Sequence, residues 1–253
     1  MILQQIRNAT LILHYANKKF LLDPVLADKG AYPPFINTIR QDQRNPMVDL
    51  PISINHIINN VDAVIATHLH SDHFDTRAME LLPKDIKLFA QDETDAAKLT
   101  AVGFRNIEIL CNDTVFDGIR LCKTQGHHGR GEILNAMGNV SGVIFKHSEE
   151  KSLYIAGDTV WYEGIKDTIT TYEPEIIVVN GGANQILGHG SIVMGKEDIY
   201  EVAKTAPNSI IISSHMEAMN HWTLSRQELR EYTVEKEIAS QVLVPEDGEV
   251  YTF

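Results

Sequence analysis

Thr67-His68-Leu69-His70-Ser71-Asp72-His73-Phe74-Asp75 is the stretch on which the reading of this chain turns. It follows the apolar run Val61-Asp62-Ala63-Val64-Ile65-Ala66, which reads as a short buried strand. At a strand end running into a loop, His68 and His70 project to the same side, because side chains alternate with period two. Asp72 and His73 lie past the bend and can turn toward a second point. The spacing therefore suits two metal ions side by side. Imidazole and carboxylate without thiolate suit zinc, manganese, iron or nickel better than calcium or a soft metal.

Further ligand-type residues end apolar runs elsewhere in the chain. Asp23 stands in Leu21-Leu22-Asp23-Pro24, His127 and His128 in Gly126-His127-His128-Gly129, Asp158 in Ala156-Gly157-Asp158-Thr159, and His215 in Ile212-Ser213-Ser214-His215. On the residues alone, His127 competes with His128, and His221 with His215. A helix N-cap is the alternative reading of Asp158.

The HxHxDH signature after a buried strand, with these residues in this order, resembles the metallo-β-lactamase superfamily. The resemblance spans most of the chain. It implies an αββα four-layer sandwich with two mixed sheets face to face and helices outside. It also implies a metal set of His68, His70, Asp72, His73, His128, Asp158 and His215, with Asp158 bridging two ions. Within the superfamily, the short chain and His215-Met216-Glu217-Ala218-Met219-Asn220-His221 are most similar to the ascorbate-6-phosphate lactonase-like group. Neither Cys111 nor Cys122 matches the Cys ligand of the penicillin-opening enzymes. His70 replaces the Glu of the flavodiiron-like group, and the basic surface of the RNA-processing branch is missing.

The element pattern agrees with that fold. Residues 2–7, 10–15 and 19–22 alternate as a meander. Runs at 86–90, 105–111, 114–116, 119–124, 140–147, 152–156, 175–179 and 209–213 read as strands, the hairpin at Asp117-Gly118 joining two of them. Helices are predicted after Asp75 to Leu82, from Asp92 to near Gly103, and over 161–172 and 196–206. A capping box, Ser225-x-x-Glu228, opens another that runs to about Ala239. Neither an internal repeat nor a linker divides residues 1–253, so a single domain is expected. The Pro-rich stretch 24–60 is too long for a plain connector and reads as a loop or lid over the site.

Lys plus Arg is 22 and Asp plus Glu 34, a net charge of −12. That disfavours nucleic acid as a partner, since such binding is driven by cationic side chains. No apolar run is long enough to span a membrane. The N-terminus has no signal-peptide pattern, and two cysteines make no disulfide framework, so a cytoplasmic protein is expected. The sequence is compatible with a homo-oligomer.

The expected chemistry is hydrolysis of a small-molecule ester or lactone by metal-activated water, with two divalent ions, zinc first, as cofactors. Asp72 is expected to hold the nucleophile as well as a metal. Tyr162, His189 and His221 are the candidate proton donors, and Asp23 orients a ligand from behind. Lys29, Arg40, Arg44, Arg130 and Arg226 are the residues that could receive an anionic substrate group. A small-molecule phosphodiesterase is the alternative, and a non-catalytic metal or ligand sensor the second alternative.

Overall fold

A computed structural model describes residues 1–253. The chain opens with the meander β1 (Ile2–Arg7), β2 (Thr10–Tyr15) and β3 (Lys18–Leu22). After a long loop come α1 (Ile54–Ile58), β4 (Ala63–Ile65), α2 (Thr76–Leu81), β5 (Lys87–Ala90), α3 (Glu93–Ala101) and β6 (Ile107–Ile109). The second half runs through β7 (Thr114–Phe116), β8 (Ile119–Gln125), α4 (Ile133–Met137), β9 (Ser141–His147), β10 (Glu150–Ile155), α5 (Glu163–Tyr172) and β11 (Ile176–Asn180). It closes with β12 (Gln185–Ile186), β13 (Gly190–Ser191), α6 (Lys196–Thr205), β14 (Ile210–Ser214), α7 (Arg226–Glu235), β15 (Val242–Leu243) and β16 (Val250–Thr252).

Two seven-stranded mixed sheets result, with orders β16-β1-β2-β3-β4-β5-β6 and β15-β14-β11-β10-β9-β8-β7; β12 and β13 form a separate hairpin. The runs expected at 105–111, 114–116 and 119–124 divide between them: β6 pairs parallel with β5, whereas β7 and β8 pair with each other and β8 with β9. The β7–β8 turn is as expected, with Asp117 (φ +47°) and Gly118 (φ +86°) both left-handed.

Strand alternation builds the layers. On β3, Phe20 and Leu22 face the other sheet while Leu21 faces the helices; on β11, Ile176 and Val178 face inward while Ile177 and Val179 face outward. The inter-sheet core joins residues such as Leu13, Phe20 and Ile65 to Phe145, Ile155 and Val178. Phe145 meets the rings of Tyr15 and Phe20 at 5.5 and 5.2 Å, tilted and edge-on. Outside the first sheet, Ile57, Ala78 and Leu99 bring α1, α2 and α3 onto Val64 and Leu88. Outside the second, Ile165, Ile199 and Leu229 bring α5, α6 and α7 onto Ile177 and Ile211. The molecule is thus an αββα sandwich.

The helix starts follow their caps. Asp75 Oδ1 accepts from the Ala78 N–H at 2.7 Å, and the Ser225–Glu228 capping box closes from both sides. Asp75 Oδ2 also accepts from the Ala27 N–H at 2.8 Å, so this carboxylate anchors the long loop as well as the helix.

Candidate metal centre

In the first sheet β3, β4 and β5 run parallel, and in the second β10, β11 and β14 do. Their carboxyl ends converge on one edge of the sandwich. Asp23 follows β3, His68 to His73 follow β4, His127 and His128 follow β8, Asp158 follows β10, and His215 follows β14. Strand ends are rigid, and each delivers a side chain at the point where the chain turns away. At His215 the turn is sharp: the backbone is left-handed (φ +59°), a conformation costing on the order of 1 kcal/mol or more, held by its N–H on the Asn8 carbonyl at 3.0 Å.

Three overlapping triads of ligand atoms result. His68, His70 and His128 offer one nitrogen each, His68 and His73 join Asp158, and His73 and His215 join Asp72; within each triad the atoms lie within 4.8 Å of one another. Asp158 stands between them: its Oδ1 is 3.2 Å from His73 Nε2, and its Oδ2 is 3.4 Å from His128 Nε2. The Nε2 atoms of His68, His73 and His215 are buried without a hydrogen-bond partner. Buried imidazole nitrogens without partners, aimed at carboxylates, are the donor set a divalent transition metal requires, so the residues fit a metal.

The Nδ1 sides explain the ring orientations. His128 Nδ1 meets the Ile192 carbonyl at 2.8 Å, His73 Nδ1 meets Asp23 Oδ2 at 2.8 Å, and His68 Nδ1 lies 3.2 Å from Thr67 Oγ1. Asp23 also accepts from Thr67 N–H (2.8 Å) and hydroxyl (2.7 Å). Such contacts fix the tautomer and would leave Nε2 free for a metal. Asn180 Nδ2 donates to Asp158 Oδ1 at 2.6 Å, and Asn8 Nδ2 to the Asp72 carbonyl at 2.6 Å. Neither asparagine is apparent as a site residue in the sequence, although Asn180 opens the Asn180-Gly181-Gly182 strand exit.

Burial alone would raise Asp158 and Asp72. The surrounding imidazoles outweigh it, chiefly His73 for Asp158 and the His215 contact for Asp72, and hold both well below the usual carboxylate range. Burial likewise opposes charge on His73, but Asp158 and Asp23 raise it well above an ordinary imidazole. His68, where burial dominates, is pushed well down.

A cleft of about 260 Å³ opens onto this edge, lined by His70, Asp72, His128 and His221 below and by Phe35, Ile36, Met137, Ile186 and Ile192 above. His221 is buried, its Nε2 3.5 Å from Asp72 Oδ2 and its ring edge-on to Phe35. The long loop supplies Phe35 and Ile36. Asn220, beside His221, holds that loop: Oδ1 accepts from the Phe35 N–H (2.9 Å), and Nδ2 donates to Thr38 Oγ1 (2.8 Å) and the Ile39 carbonyl (2.9 Å).

Several expected site residues are elsewhere. Tyr162 lies outside the cleft, stacked on His127 at 3.6 Å, with its hydroxyl donating to the Gln125 carbonyl at 3.0 Å. His189 is exposed between β12 and β13. Four of the five cations expected to receive an anion are committed to the protein's own groups. Arg226 is buried against Glu217 and Asp247, and Arg130 pairs with Asp198 at 2.7 Å. Arg44 caps the Gly30 and Ala31 carbonyls, and Arg40 stacks on Trp222 at 3.7 Å. Lys29 is exposed and does not line the cleft. Of the two cysteines, Cys122 is buried and Cys111 is exposed.

A metal-binding edge of this composition, on paired mixed sheets flanked by helices, defines a metal-dependent hydrolase of the metallo-β-lactamase fold. The chain belongs to the β-lactamase superfamily domain family, whose pattern matches residues 18–216, and within it to the UPF0173 metal-dependent hydrolases. It is 63% identical over 250 residues to the UPF0173 protein YddR of Bacillus subtilis, covering 98% of both chains. The crystal structure of an isothiocyanate hydrolase from Delia radicum gut bacteria is 44% identical, with a TM-score of 0.96 over 100% of this chain and 99% of that one. That of a possible metal-dependent hydrolase from Veillonella parvula is 40% identical, with a TM-score of 0.97 over 100% and 99%. No helix is long and apolar enough to cross a membrane.

Proposed function

We propose that the protein hydrolyses small, uncharged molecules at an electrophilic carbon, using two divalent metal ions, zinc first. His68, His70 and His128 would hold one ion, Asp72, His73 and His215 the other, and Asp158 would bridge them. When bound, such ions supply Lewis acidity and make hydroxide available at neutral pH. The observation that carries the substrate class is the cleft lining: apolar side chains face the His and Asp floor, and neither Lys nor Arg is among them. An uncharged substrate loses little on entering such a wall, whereas an anionic group remote from the ions would leave water with no cationic side chain to receive it.

The 44% identity to an isothiocyanate hydrolase supports an isothiocyanate as the first substrate to try. The overall reaction balances with water alone: R–N=C=S plus H2O gives R–NH2 and COS, oxygen bonding to the central carbon, the carbon–nitrogen bond breaking and both protons passing to nitrogen. Esters and lactones present the same kind of carbon and stand second.

Burial pushes His221 down to about 4, so it is neutral at pH 7. Its role is then to hold the substrate by hydrogen bonding, not to deliver a proton from an imidazolium. Asp72, held ionised, can accept a hydrogen bond from the incoming water.

Protein loaded with zinc or manganese would be assayed against allyl and benzyl isothiocyanates, small lactones, aryl esters and bis-aryl phosphodiesters. Turnover of one of the uncharged classes, abolished in Asp158→Ala, is expected. Dominant phosphodiester cleavage would replace this reading with the phosphodiesterase one. Metal retention with no turnover of any class would favour a sensor.

A further inference from the structure

Asn184 is buried, and its side chain lies between two imidazoles that belong to different parts of the site. Its Nδ2 is 3.2 Å from His215 Nδ1 and 2.9 Å from His221 Nε2. Its Oδ1 is buried with no partner. For His215 to direct the Nε2 lone pair at the ion shared with Asp72 and His73, its proton must reside on Nδ1. Two donors, Nδ1–H and the amide NH2, then face each other while the amide oxygen goes unused. Leaving a buried acceptor empty in this way is costly.

The other imidazoles show what is missing. His68, His73 and His128 each have an oxygen on Nδ1: Thr67 Oγ1, Asp23 Oδ2 and the Ile192 carbonyl. His215 alone among these four meets a nitrogen there. Oxygen and nitrogen of an amide are nearly isosteric, so the hydrogen-bond network decides their order.

We propose that Asn184 is a positioning residue whose amide oxygen, not its nitrogen, faces both rings, accepting from His215 Nδ1–H and His221 Nε2–H. One oxygen then sets the tautomer of a metal-binding imidazole and the orientation of the substrate-facing one. The exchanged NH2 group lies over Gly182, at the point also flanked by the His215 carbonyl. A Cβ on Gly182 would sit 2.4 Å from each of those two atoms, so glycine is what leaves room for the amide. The local sequence Asn180-Gly181-Gly182-Ala183-Asn184 thus supplies both the residue and the space for it.

This inference rests on the reading that His215 holds a metal ion, and the experiment separates the two. Wild type, Asn184→Asp and Asn184→Leu would be titrated with zinc against a chromophoric chelator, and the ring tautomer of His215 read by long-range 15N–1H correlation at pH 8. Wild type should show Nδ1–H. Asn184→Asp, which keeps an oxygen acceptor, should bind zinc about as wild type does. Asn184→Leu should lose about 10–100-fold in affinity for one ion and not for the other. Unchanged affinity for both ions in Asn184→Leu, or an Nε2–H tautomer in wild type, overturns the proposal. If wild type binds no zinc, the metal reading falls, and the tautomer alone decides: Nδ1–H supports the amide orientation and Nε2–H refutes it. Should Asn184→Leu not fold, the wild-type tautomer and Asn184→Asp still decide.

Discussion

His221 shows how burial changes what a residue can do. An exposed imidazole takes up a proton near 6.5; here, burial first, with His215 and His128 adding to it, brings the value to about 4 despite nearby Asp72 and Asp158. The unfolded chain therefore binds a proton at higher pH than the folded one. Stability at this residue is full above about 6.5 and falls as pH drops toward 4, by up to about 3 kcal/mol at roughly 1.4 kcal/mol per unit. In chelator-treated protein, His221→Gln should lose less stability than wild type between pH 6.5 and 4, measured by urea unfolding at each pH. Parallel curves for the two proteins would show that His221 does not titrate this way. Bound ions, being cationic, would push in the same direction.

At the scale of elements, the long loop and the 218–222 segment form one hydrogen-bonded unit. Asn220 ties Phe35, Thr38 and Ile39 together, and Asn45 returns the contact, its Oδ1 accepting the Asn220 N–H at 2.8 Å and its Nδ2 donating to Asn220 Oδ1 at 2.9 Å. The β12–β13 hairpin joins the unit through the Leu187 N–H on the Asn37 carbonyl at 2.7 Å. This roof carries Phe35, Ile36 and Ile186 over the cleft. Asn220→Ala would strand several of these buried polar groups, at a cost of about 2 kcal/mol or more. The expected outcome is a lower urea midpoint together with faster proteolytic cutting within 35–45. A midpoint shift without any change in cutting would mean that the loop is held by other contacts.

For the whole molecule, the candidate centre draws on both sheets. His68, His70, Asp72 and His73 come from the first, and His128, Asp158 and His215 from the second. Bound ions would therefore link the two halves of the sandwich and stabilise the folded state by mass action. Metal in hundredfold excess over its Kd adds about 2.7 kcal/mol per site, which for a chain of this size raises Tm by roughly 5–10 °C. Calorimetry with excess zinc and after chelation should show that difference in wild type and a smaller one in Asp158→Ala. Identical Tm values with and without metal would contradict a centre joining the sheets.

What the sequence determined by itself is local. Short apolar runs at β4 and β11 read as strands, because a strand covered on both faces needs apolar residues throughout. The strand-end His and Asp residues are legible because an apolar run ending in a ligand-type residue is a pattern within a few positions. Caps at Asp75 and Ser225 are legible for the same reason. Tertiary structure decided whatever depends on partners distant in the chain. It sent β6 and β7 to different sheets, since a strand's periodicity does not name its neighbour. It committed Arg130 to Asp198, 68 residues away, and Arg226 to Asp247, which no local charge count reveals. It turned Tyr162 onto His127, and it set Asn184 between His215 and His221, 31 and 37 residues on. An asparagine has no periodic or compositional mark of such a role; only folding brings its amide against the two rings.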